Sequence, residues 1–264
     1  MKTLIASILL LAAGSAAAHT SCNLELDAGV RITADSIEFF AADTPTYKIV
    51  DDKYLVVDGR AQLLTGKQQA MVSDFAAGIR SAVPQVHDLA LAGIDLAIEG
   101  VALTLDNFLG EKNEISAQLT TELKNVKSDV NRYFTSGNPI NLNRPGEETP
   151  EFLGKQFETR IERIVETSVQ NSIGSIMMAV GKEMLLSGGS MEVFEARMNK
   201  FGEQMEAQMH ARAAGMEARG EQLCSTMRTL DQYEEQLKQL VPAIEQFDVI
   251  NVDTRQQQVA QQNQ

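Results

Sequence analysis

The hydrophobic period of this 264-residue chain changes once, at Thr65, and that change limits the fold more than any other feature. Before it, apolar residues come in short β-branched or aromatic runs at 30–33, 36–40, 47–50 and 54–57. Turn formers separate them: Ala34-Asp35, 43–45, Asp51-Asp52 and Asp58-Gly59. The last predicts a hairpin into a strand at 60–63. After Thr65, which suits an N-cap, Met71, Phe75, Ile79 and Val83 recur at fourfold spacing and set a helical period. The reading is α+β, mostly α: a small N-terminal antiparallel β-meander, then long amphipathic helices packed as a bundle or coiled-coil hairpin. So small a meander needs helices to pack against.

The segments follow from the breaks in these patterns. Residues 1–18 read as a signal peptide, 19–64 as the β region, 65–134 as helical and 135–150 as a linker or exposed loop. Residues 151–250 read as a long-helix region and 251–264 as a disordered tail. Pro84 is expected to kink or end the first helix. A second helix runs from Gln85 to about Leu109, and a third covers 113–134, with Ile115, Leu119, Leu123, Val126 and Val130 on one stripe. Gly137, Pro139, Pro145, Gly146 and Pro150 interrupt helix across the linker. Helix resumes near Glu151, stops around Gly188-Gly189 and continues over 190–247, where Pro242 is expected to cut or kink it. The Gln-rich end offers little to bury.

The first eighteen residues combine Lys2, an apolar core at 5–13 and Ala16-Ala17-Ala18, the three parts of a secretion signal. Cleavage is expected between Ala18 and His19, with export to the periplasm of a Gram-negative bacterium. A retained anchor, or a lipoprotein built on Cys22, are the alternatives. No later stretch is apolar enough to predict stable membrane insertion. Asp88, Asp95, Glu99 and Asp106 interrupt 86–109, and Lys182 and Glu183 interrupt 172–186. The net charge is −13, without a cluster of Lys and Arg, which argues against nucleic acid as a partner. Two cysteines, Cys22 and Cys224, stand near opposite ends of the mature chain. In an oxidising compartment they are expected to bond to each other, with free thiols or an intermolecular bridge as the alternative.

Met177, Met184, Met191, Met198 and Met205 fall seven residues apart. With Phe194 and Phe201, the run Met191, Phe194, Met198, Phe201, Met205 alternates steps of three and four, an interaction seam of the coiled-coil kind. The step from Met205 to Met209 resembles a stutter. The series then continues through Met216, Leu223, Leu230, Leu237 and Ile244. Such a stripe packs on the protein's own core or on a partner helix, forms an adaptable apolar groove, or handles copper. Seven residues of helix span about 10.5 Å, so successive methionines cannot share one metal ion, and no metal or cofactor is expected.

Asp88, Asp95, Glu99 and Asp106 share one helical face, either solvated or set against a basic helix bearing Arg160 and Arg163. His19, His87 and His210 are scattered, and no catalytic motif accompanies them. An enzyme is not expected; one would need a site among Asp88, Asp95, Glu99 and His87.

The early Cys22 and short β region lead into 55–65, followed by Lys67-Gln68-Gln69, Phe75, Ile79-Arg80 and Pro84-Gln85-Val86. Ser187-Gly188-Gly189, Leu223-Cys224 and Leu230 follow later. In this layout the chain resembles the YggN-like family, uncharacterised periplasmic proteins of gamma-proteobacteria. It departs from that pattern in its Met-rich run and Gln-rich end. The resemblance implies a periplasmic β-plus-helical protein and carries no catalytic residues. The expected function is a non-enzymatic helical interaction or scaffold protein of the envelope, engaging another protein or itself. The alternative is a carrier or chaperone-like binder of apolar ligands or peptides in a Met-rich groove.

Overall fold

The structure, a computed structural model, describes residues 22–41, 44–109, 113–142, 155–186 and 188–254. The expected signal peptide, its Ala18–His19 cleavage site and the end of the tail lie outside these residues.

Six strands form one antiparallel sheet in the order β6-β5-β4-β3-β2-β7: β2 Gly29–Ile32, β3 Ser36–Ala41, β4 Thr44–Val50, β5 Tyr54–Val57, β6 Arg60–Ala61 and β7 Ile140–Leu142. The connections obey local chemistry. Asp51 and Asp52 both take positive φ (52° and 53°), and Lys53 N–H reaches Val50 carbonyl at 3.1 Å, closing a type I′ turn. Asp58 and Gly59 repeat that geometry at 48° and 75°, so the Asp-Gly hairpin forms as its sequence predicts. Its second strand stops at Ala61 rather than Leu63, which is fully exposed. Ile37, Phe39, Tyr47, Ile49, Leu55 and Val57 alternate along their strands and are all buried.

Helix α1, Gly66–Leu109, covers that face with Val72, Phe75, Ala76 and Ile79. Its start is a capping box: Gln68 N–H donates to Thr65 Oγ1 at 3.4 Å, and Thr65 N–H to Gln68 Oε1 at 2.8 Å. Arg80 fastens α1 to two turns of the sheet. Its Nε donates to Asp52 at 2.7 Å, and its terminal nitrogens donate to the carbonyls of Thr33 (2.7 Å) and Ala34 (3.1 Å). Contrary to expectation, α1 runs through Pro84 without ending. Carbonyls in the preceding turn are taken up by side chains, Gly78 by Ser81 Oγ (2.7 Å) and Ser81 by Gln85 Nε2 (3.1 Å).

Helix α2, Glu114–Thr135, folds back along the second half of α1. Asn113 caps it by accepting from Ser116 N–H at 2.8 Å, and Val126 and Val130 bury against Ala90, Leu91 and Ile94. The expected linker then contributes β7, so that expectation is corrected for 140–142. Ile140 and Leu142 pair with Ile32 and Val30. Tyr133 hydroxyl accepts from Asn141 N–H (2.7 Å) and donates to Asn141 carbonyl (3.1 Å), holding the strand against α2.

Helix α3, Lys155–Leu186, ends where Gly188 and Gly189 adopt positive φ. Their N–H groups satisfy Leu185 and Met184 carbonyls, both at 3.0 Å. Ser190 caps α4, Met191–Leu240, and a 3-10 turn at Pro242–Ile244 follows, so Pro242 stands just past the helix end. Helices α1 and α4 pack antiparallel in one register. Gly78 faces Leu230, Gly93 faces Met216, Gly100 faces Met209 and Thr104 faces Met205.

A second sheet pairs β1, Cys22–Leu26, with β8, Ile250–Thr254. Residues 251–254, expected to be disordered, are thus the second strand of a ribbon: Ile250 opposes Leu26 and Val252 opposes Leu24. The α+β, mostly α architecture is as the period change predicts.

Candidate functional site: the ribbon, its fasteners and the cavity beneath

Three residues on α4 fasten the β1–β8 ribbon. Cys224 is disulfide-bonded to Cys22, with Cα atoms 6.0 Å apart. One heptad on, Asp231 accepts from the backbone N–H of Val252, and burial raises its carboxyl above the usual range. Glu234, one turn further, is 1% exposed; its two oxygens accept from Val249 N–H (2.9 Å) and Ile250 N–H (2.8 Å). Burial pushes the Glu234 carboxyl up to about 7, against the opposing pull of those two amides. Tyr47 hydroxyl faces this carboxyl. It is itself raised well above its ordinary value, first by burial and then by Glu234 and Asp248.

Sequence reasoning found Cys224 and passed over Glu234, though a signal was available. Leu223, Met227, Leu230, Glu234, Leu237 and Val241 advance by alternating steps of four and three, so a carboxylate stands on an otherwise apolar stripe.

Between the ribbon and the main sheet lies an apolar cavity of about 100 Å³. Leu24, Leu26 and Ile250 form its roof, and Ile32, Phe39 and Ile140 its floor. Ala82 and Val86 of α1, with Met227 of α4, line its sides, and it is partly open to the surface. Leu24 is 38% exposed and marks the rim.

The expected carboxylate stripe does not come together as a site. Asp95 pairs with Lys127 at 2.6 Å, Glu99 with Arg212, and Asp106 accepts from Asn113 Nδ2 at 3.0 Å. Asp88 is 70% exposed at its side chain. Arg160 of α3, one of the two arginines on the alternative basic helix, pairs with Asp129 of α2 at 3.2 Å. Asp88, Asp95, Lys127 and Arg219 line an open polar groove, while the His87 ring stacks on Phe134, centroids 5.1 Å apart. Among the described residues no three His, Cys, Asp or Glu side chains group as a metal site, and no helix is long and apolar enough to cross a membrane.

The methionine series is divided by the α3–α4 turn. Met177 and Met184 belong to α3, while Met191, Met198 and Met205 belong to α4. Met191 is 62% exposed; Phe194, Met198, Phe201 and Met205 are half-buried. From Met205 onward the stripe packs on α1, with Met209 and Met216 seated over glycines. Ahead of it, Ile173, Met177, Met178, Leu185, Leu186 and Val193 are all exposed.

Taken together, these elements define an α+β protein in which a small sheet packs on α1 and a disulfide fastens a two-stranded ribbon to α4. The chain belongs to the family described as "Protein of unknown function (DUF2884)", which matches it over residues 22–250. No curated protein and no solved structure matches the chain.

Proposed function

We propose that this is an exported, non-enzymatic interaction protein of the cell envelope, and that the α3–α4 hairpin is the part that engages a partner protein or a second copy of the chain. One observation carries the reading: Met177, Met178, Leu185, Leu186 and Met191 stand exposed on either side of the Gly188-Gly189 turn. The paired positions on α1 and α4 add to 308 or 309, so Leu109 at the end of α1 falls opposite residue 200. The first turns of α4 therefore extend past α1. Five large apolar side chains exposed within fifteen residues point to an interaction surface. The Met191–Met205 seam then has two roles, with Met205 packing internally and Met191 facing the partner. The Cys22–Cys224 bond and the signal-like first eighteen residues support export, and the YggN-like, gamma-proteobacterial affinity belongs to this same reading.

A photo-crosslinking amino acid at Met178 or Leu185, in the chain expressed in its native envelope, tests it. Discrete adducts are expected from these positions and none from exposed Glu245; an adduct of twice the chain's mass identifies self-association. Absence of adducts at both hairpin positions refutes the reading. The carrier alternative loses its groove from Met205 onward, because Met205, Met209 and Met216 are half-buried against α1.

A further inference from the structure

The cavity under the ribbon differs from an ordinary packing fault in what encloses it. All its lining side chains are hydrocarbon or thioether, so none holds a water molecule. Apolar cavities of this order, about 150 Å³ in an engineered case, stay dry and take up benzene or xenon.

Its roof is also a separate piece of structure. The β1–β8 ribbon shares no ladder with the six-stranded sheet below it. The ribbon is fastened to α4 at Cys224, Asp231 and Glu234, and Met227 and Leu230 between those fasteners face the cavity. Leu24, exposed at the rim and also lining the interior, gives an apolar path inward.

We propose that this cavity is a binding site for one small hydrocarbon group, a single aromatic ring or a short alkyl chain, entering beside Leu24 beneath the disulfide-fastened ribbon. A ligand carrying such a group would leave any polar end outside, because the interior has nothing to pair with it. The size of the space excludes a full lipid tail or a peptide. The site is independent of the hairpin, so either reading can fail without the other.

The test is calorimetric titration of toluene and 1-hexanol into the purified protein with its disulfide formed. Saturable binding at one site per chain is expected. Ala82→Leu fills the cavity from α1, and Val86→Phe fills it from the same helix nearer its partly exposed side. Affinity is expected to fall at least tenfold in whichever of these keeps the native circular dichroism spectrum. Leu185→Glu on the hairpin is expected to bind as the unmodified chain does. Three results overturn the proposal: no saturable uptake by the unmodified chain (a packing void only), unchanged affinity in a folded filled variant, or lost affinity in Leu185→Glu.

Discussion

Glu234→Gln is the perturbation whose consequences can be worked furthest from the structure. The carboxyl is 1% exposed, titrates at about 7 in the fold, and receives two backbone N–H groups that start β8. Unfolded, it titrates near 4.5. Between those two values the native chain holds a proton that the unfolded chain has released, so this group makes stability fall as pH rises through the window. The loss is about 3 kcal/mol, complete a little above the folded value. Gln keeps one acceptor and turns an amide donor toward the other N–H. At pH 5 the variant should therefore be less stable than the parent by about 1–3 kcal/mol. At pH 8 the parent carries a buried ionised carboxylate and the variant does not, so the gap should close by about 2.5 kcal/mol. Urea unfolding at pH 5 and pH 8, with the disulfide intact, measures both gaps. Other titrating groups, Asp231 among them, cancel in the comparison. An equal gap at the two pH values refutes the idea that Glu234 ionises at a cost within the fold.

The glycines of α1 should separate by what faces them. A Cβ on Gly93 meets Met216 Sδ at an ordinary 3.7 Å, so Gly93→Ala should stabilise by about 0.5–1 kcal/mol. On Gly78 it comes within 2.5 Å of buried Leu230 Cδ2, so the overpacking of about 1–3 kcal/mol should outweigh the helix gain and leave Gly78→Ala net destabilised by thermal unfolding. Replacing Cys22 and Cys224 with Ser opens a loop of 202 residues and should lower stability by about 2–5 kcal/mol. Hydrogen exchange should then rise first at Leu24, Leu26 and Ile250, while Val126 in the α1–α2 pair stays protected.

Much of the fold was legible because it is periodic. The switch at Thr65 separates strand from helix, and the paired Asp residues and the Asp-Gly step mark two hairpins. Asn113 and Gly188-Gly189 bound helices where local chemistry requires it. The cysteines could be paired because there were only two of them. What escaped was whatever lacks a period or depends on distant partners. Residues 140–142 are too short to show alternation and become a strand only because β2 offers an edge and Tyr133 brackets Asn141. Residues 251–254 look like the start of a solvated tail until Cys22–Leu26 lies beside them.

By itself, then, the sequence determined the order of the elements, the disulfide, the acidic surface and the stripe along α4, since each depends on neighbours in the chain or on a choice of one. Tertiary structure decided that α1 continues through Pro84, because packing on either side outweighs one missing hydrogen bond. It seated Met205, Met209 and Met216 against α1 and left Met177 and Met191 exposed, because α1 stops where α4 still has turns to spare. It also set Glu234 against the ends of two backbone amides and left a space beneath the ribbon. The space depends on β1 meeting β8 and α4 some two hundred residues on, and Glu234 reaches amides 15 and 16 residues away across the turn after α4, so no local pattern encodes either.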